Sequence, residues 1–227
     1  MNDPLVPSSL QRHTLQEHLL VNGKGADGTL EQPVFIFAHG AGADMNHDFM
    51  AKVAQGVAAK GICVVRFNFP YMIKRAEDGK RRPPDRAPKL LEAYQQVLAQ
   101  FASHKVVIGG KSMGGRMASL LEEDERVAGI ACVGFPFHPP GKPEKYKGDH
   151  LARMSKPCLI LQGERDIFGN QTEVNTFDFS SLIQVQFIPD GDHSMKPRKR
   201  SGFTEQQNIE QVVDSLAAFI LEVCDEQ

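Results

Sequence analysis

KVVIGGKSMGGR, Lys105 to Arg116, is the stretch from which the rest of the chain is read. Val106, Val107 and Ile108 form a short β-branched run of the kind found in buried strands, and Arg116, Met117, Ala118, Leu120 and Leu121 carry helical spacing. Between them lies Gly110-Lys111-Ser112-Met113-Gly114, a G-x-S-x-G. A serine raised on a tight strand-to-helix turn needs small residues two positions either side, because a Cβ there would collide as the strand folds back on the helix. Gly110-Lys111-Ser112 also looks like the end of a phosphate-binding G-x-x-x-x-G-K-[ST] loop. That motif needs a glycine at position 105, where this chain has Lys105, and free loop residues where it has strand.

Moving outward, strand-like apolar runs occur at Val34 to Ala38, Ile62 to Phe67, Val127 to Val133, Cys158 to Leu161 and Ile183 to Ile188. Helical patterns alternate with them. One has Phe49, Met50, Val53 and Val57 on its apolar face, with Asn46 or Asp48 as candidate cap. A second runs from Lys89 to about Ser103, and a last one from about Glu205 to Val223. A long Pro- and Arg-rich loop is expected between Phe67 and Pro88, and a short helix near Asp149 to Met154. Residues 1–13 read as a flexible leader, and Thr14 to Val21 as an edge strand ending in the Gly23 to Gly28 turn. Residues 14–227 then make one α/β domain, with a mostly parallel sheet covered by helices on both faces. In such sheets the groups that bind and react gather at the carboxyl ends of the strands.

At 227 residues the chain can bury a substantial core. Lys+Arg 26 against Asp+Glu 28, a net charge of −2, gives no global sign of a nucleic-acid or membrane-surface protein. The N-terminus lacks the basic and apolar regions of a signal peptide, and no run approaches ~18 apolar residues. The four cysteines, Cys63, Cys132, Cys158 and Cys224, are widely spaced with no C-x-x-C pair, so neither a metal site nor a disulfide framework is expected. A cytoplasmic location fits.

A serine hydroxyl needs a base, and the base needs a carboxylate to orient it. The order Ser, Asp, His used by α/β-hydrolases is met by Ser112, Asp166 after the Cys158 strand, and His193 after the last strand. Glu164 competes with Asp166 on the same loop, and His138, between Phe137 and Pro139, is the alternative base. Donors for a developing oxyanion are expected from the backbone N–H groups of Met113 and of Ala41, with Gly42 as alternative, in the small-residue stretch His39-Gly40-Ala41-Gly42.

The elbow, the Phe67-Asn68-Phe69-Pro70-Tyr71 run leading to Arg81-Arg82-Pro83-Pro84, the Phe135-Pro136-Phe137-His138-Pro139 stretch and Asp192-His193-Ser194 together resemble a small α/β-hydrolase-like family. That family includes bacterial hydrolases, eukaryotic testis-expressed members and a subunit of the NSL histone-acetyltransferase complex. The similarity runs from about Pro33 to the C-terminus. It implies an α/β-hydrolase core near dienelactone hydrolase in size, with Ser112, Asp166 and His193 in the triad positions. The connection from Gly134 to Lys156 is too short for a large lid, so a minimal one is expected. Lys111 stands where relatives often carry arginine.

The expectation is a cofactor-free hydrolase of ester, thioester or related acyl bonds, with a small acyl substrate. The rival class is a binding or scaffold protein that keeps the fold without turnover. Ten cations fall in two loops at the carboxyl edge of the sheet: Lys74, Arg75, Lys80, Arg81, Arg82 and Arg86 after Phe67, and Lys196, Arg198, Lys199 and Arg200 after His193. They raise the expectation of an anionic substrate or partner gripped by Arg81 and Arg82, with Lys111 as a further contact.

Overall fold

The computed structural model describes residues 19–23, 32–101, 104 and 106–225. Seven strands form one sheet: β1 (Leu19–Asn22), β2 (Val34–Ala38), β3 (Cys63–Phe67), β4 (Val106–Lys111), β5 (Val127–Val133), β6 (Cys158–Gly163) and β7 (Ile183–Ile188). Their order across the sheet is β1-β3-β2-β4-β5-β6-β7. Every neighbouring pair is parallel except the edge pair of β1 with β3. The strand β4 therefore sits near the middle, with β2 directly beside it in register from Phe35 opposite Val107 to Ala38 opposite Gly110.

Alternation along the central strands sorts their side chains onto two buried faces. Val34, Ile36 and Ala38 join Val106 and Ile108 on one face, beneath α3 (Ala87–Leu98) and α4 (Met113–Ser119). Phe35, Phe37, Val64 and Val107 join the other, covered by α1 (Asp48–Ala58) and α6 (Glu205–Asp225). Leu216 and Ile220 of α6 and Val53 and Val57 of α1 are fully buried there, each contributing on the order of 1.5–3 kcal/mol of hydrophobic stabilisation. Among the described residues, no helix is long and apolar enough to cross a membrane.

The structure departs from the sequence reading in several places. The expected Pro- and Arg-rich loop begins as a helix, α2 (Pro70–Asp78). Pro70 at its first position presets the helical φ, Gly79 closes it at φ 70, and Tyr71 and Met72 are buried under it. Only residues 79–86 remain as loop. The cap of α1 is neither Asn46 nor Asp48 but His47, whose Nδ1 accepts from the Phe49 N–H at 3.3 Å. α3 starts at Ala87, with Pro88 in its first turn, and passes into a 3-10 turn at Ala99–Phe101. A short α5 (Gln171–Val174), absent from the sequence reading, is held by a capping box between Asn170 and Glu173. Residues 1–18 and 24–28, which carry the expected leader, most of the first strand and its turn, lie outside the described residues.

The connection from Gly134 to Lys156 does not rise over the sheet edge as a lid. Phe135, Phe137 and Leu151 are fully buried in the core beside β5 and β6, and the segment near Asp149 forms only a 3-10 turn.

Candidate active site

Ser112 joins β4 to α4 with φ 53 and ψ −116, a conformation that costs a non-glycine residue on the order of 1–3 kcal/mol. Two flanking glycines make the turn sterically feasible. A Cβ on Gly110 would lie 2.5 Å from the Ala38 carbonyl oxygen, and one on Gly114 2.4 Å from the same oxygen. The turn is anchored by the Ser112 N–H, which donates to the Val133 carbonyl at 2.9 Å, and by the Ser112 carbonyl, which accepts from Arg116 at 3.0 Å. Met113 opens α4, so its N–H has no acceptor within the helix.

The hydroxyl so presented meets His193. Ser112 Oγ lies 2.9 Å from His193 Nε2, and His193 Nδ1 lies 2.8 Å from Asp166 Oδ2. Asp166 is fully buried, and its acceptors are occupied: Oδ2 also receives Gln162 Nε2 at 3.0 Å, and Oδ1 receives the Phe168 N–H at 2.9 Å. An acceptor-only partner at Nδ1 fixes the proton there and leaves Nε2 free to accept from serine. Burial holds the His193 pKa below the ordinary histidine value, against the opposing pull of the Asp166 hydrogen bond, with the positive charge of Lys111 adding to the lowering. The imidazole is further pinned by the Phe168 ring, 4.2 Å away between centroids. Its loop is braced from below by Asn208 of α6, whose Nδ2 donates to the carbonyls of Pro189 and Met195.

Across the serine runs the loop after β2. His39 is buried and neutral, its pKa lowered to about 4 by desolvation. Its Nδ1 donates to the Gly40 carbonyl at 2.8 Å, and its Nε2 accepts from the Phe69 N–H at 3.1 Å. The Tyr71 hydroxyl stands 2.9 Å from the Ala41 carbonyl oxygen and 3.4 Å from that of Gly40. In a trans peptide the N–H points opposite the C=O. Holding these two carbonyls toward Tyr71 therefore turns the N–H groups of Ala41 and Gly42 the other way. Farther along, Asn68 Oδ1 accepts from Met45 N–H at 2.9 Å and Arg66 of β3 donates to the Met45 carbonyl, so the far end of the loop is held at Met45.

Between these loops lies a cavity of about 340 Å³ with Ser112 and His193 in its wall. Gly40, Ala41, Gly42 and Ala43 line it together with the apolar side chains of Phe49, Met50 and Phe168.

A family model described as an alpha/beta hydrolase domain matches residues 31–221. The chain belongs to this family. Among solved structures, this alpha/beta hydrolase domain is similar to an alpha-beta serine hydrolase homologue from Coxiella burnetii, at 20% identity and TM-score 0.64, covering 88% of this chain and 89% of that one. It is also similar to Est1E from Butyrivibrio proteoclasticus with ferulic acid bound, at 16% identity and TM-score 0.65, covering 92% and 95%. A third likeness is to a serine hydrolase without lid from Xanthomonas campestris, at 16% identity and TM-score 0.58, covering 92% and 88%. At these identities the likeness is one of fold.

Within the alpha/beta hydrolase domain, the candidate residues separate into those the fold brings together and those it does not. Ser112, Asp166, His193, Ala41 and Gly42 converge, with Met113 directly behind the serine. Glu164 faces away and accepts the Asp190 N–H at 2.7 Å. His138 is buried beside Glu173, its Nδ1 on the Pro139 carbonyl. Arg81 and Arg82 are not in the cavity wall, and Arg82 is engaged by Asp78, four residues earlier, at 2.7 and 3.0 Å. Their expected role as substrate contacts finds no support in the lining of this cavity. Lys111 does line the cavity, but its Nζ donates to the His193 carbonyl. Three contributors escaped the sequence reading: Tyr71, Phe168 and Gln162. Only Gln162 left a signal, as a polar residue inside a strand buried on both faces, where it must find partners.

Proposed function

We propose that the protein is a serine hydrolase cleaving an ester, thioester or related acyl bond through an acyl-enzyme, with Ser112, His193 and Asp166 as triad. The observation that carries this reading is the unbroken hydrogen-bonded chain from buried Asp166 through His193 to Ser112 at a cavity wall. His193 Nε2 takes the serine proton as Oγ bonds to the acyl carbon. The carbonyl oxygen becomes an oxyanion, received by the N–H of Met113 and by that of Ala41 or Gly42. As the intermediate collapses, the leaving group departs with the proton held on His193, and water activated by the same nitrogen releases the acid.

The cavity volume suits a small acyl group, in keeping with the motif resemblance to dienelactone-hydrolase-like enzymes. Its wall of glycine, alanine and aromatic residues favours a compact, mostly apolar one. All four cysteines are free thiols, which fits a reducing compartment such as the cytoplasm. The test is labelling with a fluorophosphonate, followed by turnover of short acyl esters. Wild type should be labelled and active, and Ser112→Ala should be neither, losing up to ~10⁶ in kcat, the scale of a lost triad nucleophile. Undiminished ester turnover by Ser112→Ala would refute the assignment.

A further inference from the structure

Lys111 has no part in the chemistry just described, yet it is placed at the junction of its two halves. It ends β4 immediately before Ser112. It is half-buried in the cavity wall. The stem passes Gly40, where a Cβ would lie 3.7 Å from Lys111 Cγ, and Nζ stands 5.8 Å from the centre of the Phe49 ring. The ammonium then reaches beneath the loop after β7 and donates to the backbone carbonyl of His193. Room for it is made by Gly134 at φ 65, since a Cβ there would lie 2.7 Å from Nζ. A long side chain held in this way gives up rotamer freedom and hydration that specific contacts must offset.

We propose that Lys111 is a positioning residue for His193, tethering the loop that carries the imidazole over Ser112 and, by its charge, keeping that imidazole neutral in the resting enzyme. The inference rests on the hydrolase reading for its kinetic consequences, but not for the coupling itself. The charged groups facing the ammonium are Asp166, from the loop after β6, and Asp192, from the loop after β7. From α1 it meets the apolar Phe49, and the segment from Gly40 to Ala43 brings no charge. Burial pushes the Lys111 pKa down to about 8, with Asp166 and then Asp192 pulling it back up. The cation therefore persists throughout the range in which the imidazole titrates. A positive charge beside an imidazole disfavours its protonated form. Asp166, bonded to the other ring nitrogen, offsets this penalty once the imidazolium forms during turnover.

The coupling can be read without turnover, by following the His193 ring signals of histidine-labelled protein by NMR across pH, with His193→Gln providing the assignment. In Lys111→Met the titration midpoint should move to higher pH, and in Lys111→Arg, which keeps the charge, it should stay near wild type. The acidic limb of kcat/KM for a short acyl ester should move with the midpoint in Lys111→Met. Its plateau kcat should fall up to ~10²-fold, the scale of a misplacement of about 1 Å. Should Lys111→Met not fold, Lys111→Gln serves the same comparison. An unchanged midpoint in the uncharged variant, with an unmoved acidic limb, would overturn the proposal and leave Lys111 as packing. A shifted midpoint in a protein whose wild type hydrolyses nothing would uphold the coupling and count against the hydrolase reading alone.

Discussion

The Tyr71 hydroxyl, at the start of α2, donates to the carbonyl of Ala41, 2.9 Å away across the loop that faces Ser112. The orientation of the Ala41 peptide depends on this phenol, whereas the Gly40 carbonyl, 3.4 Å from it, also accepts from His39 Nδ1. Removing the hydroxyl takes this donor from the Ala41 carbonyl, at a cost of about 1 kcal/mol unless the peptide turns. If it turns, the N–H group of Gly42 leaves the cavity. Tyr71→Phe should therefore lower kcat for a short acyl ester by about 10- to 100-fold, less than the ~10²–10³ of a deleted oxyanion donor, with KM little changed. A drop confined to KM would assign Tyr71 to substrate binding instead.

Asp166→Asn should cost ~10⁴ in kcat, the scale known for an amide in place of a triad carboxylate. The carboxylate receives the Phe168 N–H on one oxygen and both His193 and Gln162 on the other. An amide cannot satisfy all three, since either orientation aims its NH₂ at a donor or forces the wrong imidazole tautomer. Glu164→Gln keeps an oxygen for the Asp190 N–H, so its turnover should stay within a few-fold of wild type. Steady-state kinetics of the two variants side by side checks the ranking.

These two cases show where the sequence was readable. The elbow was legible because its requirement is local: Gly110 and Gly114 sit two residues from Ser112, and both would clash with one Ala38 carbonyl. The choice of Asp166 over Glu164 depended only on distance beyond a strand end, which a parallel sheet makes meaningful. Tyr71, Phe168 and the course of the Lys111 side chain were not legible. Their partners lie up to 82 residues away, on loops whose approach no spacing rule encodes. The helix α2 was hidden by composition, because the prolines and arginines that follow it masked the burial of Tyr71 and Met72.

Stability should depend on pH through His39. Its folded pKa, about 4, lies below the ordinary value of 6.5, so between those values the unfolded chain binds a proton that the folded one refuses. Stability contributed by this group is complete above about pH 6.5 and is lost as pH falls toward 4, by roughly 3 kcal/mol. Urea unfolding at a series of pH values should show this loss in wild type. In His39→Gln, which retains a donor and an acceptor but cannot titrate, the slope over that window should be shallower. Parallel slopes would mean that His39 is hydrated or protonated in the folded state.

The last prediction concerns the cations after β3. Arg82 is a half-buried residue paired with Asp78 four residues earlier, and neither it nor Arg81 is in the cavity wall. Across the sheet edge, Arg198 is committed to Asp190, and Lys196 to Glu205. These pairs offset three of the ten cations, and the field of the rest is screened over ~8–10 Å near physiological salt. Arg81→Ala/Arg82→Ala should therefore leave kcat/KM for a neutral short ester unchanged. For a matched anionic ester it should lower kcat/KM by less than about threefold, with a small salt dependence. Measuring both esters from low to moderate salt decides the matter: a large anionic preference that vanishes with the double substitution would return these arginines to the substrate path.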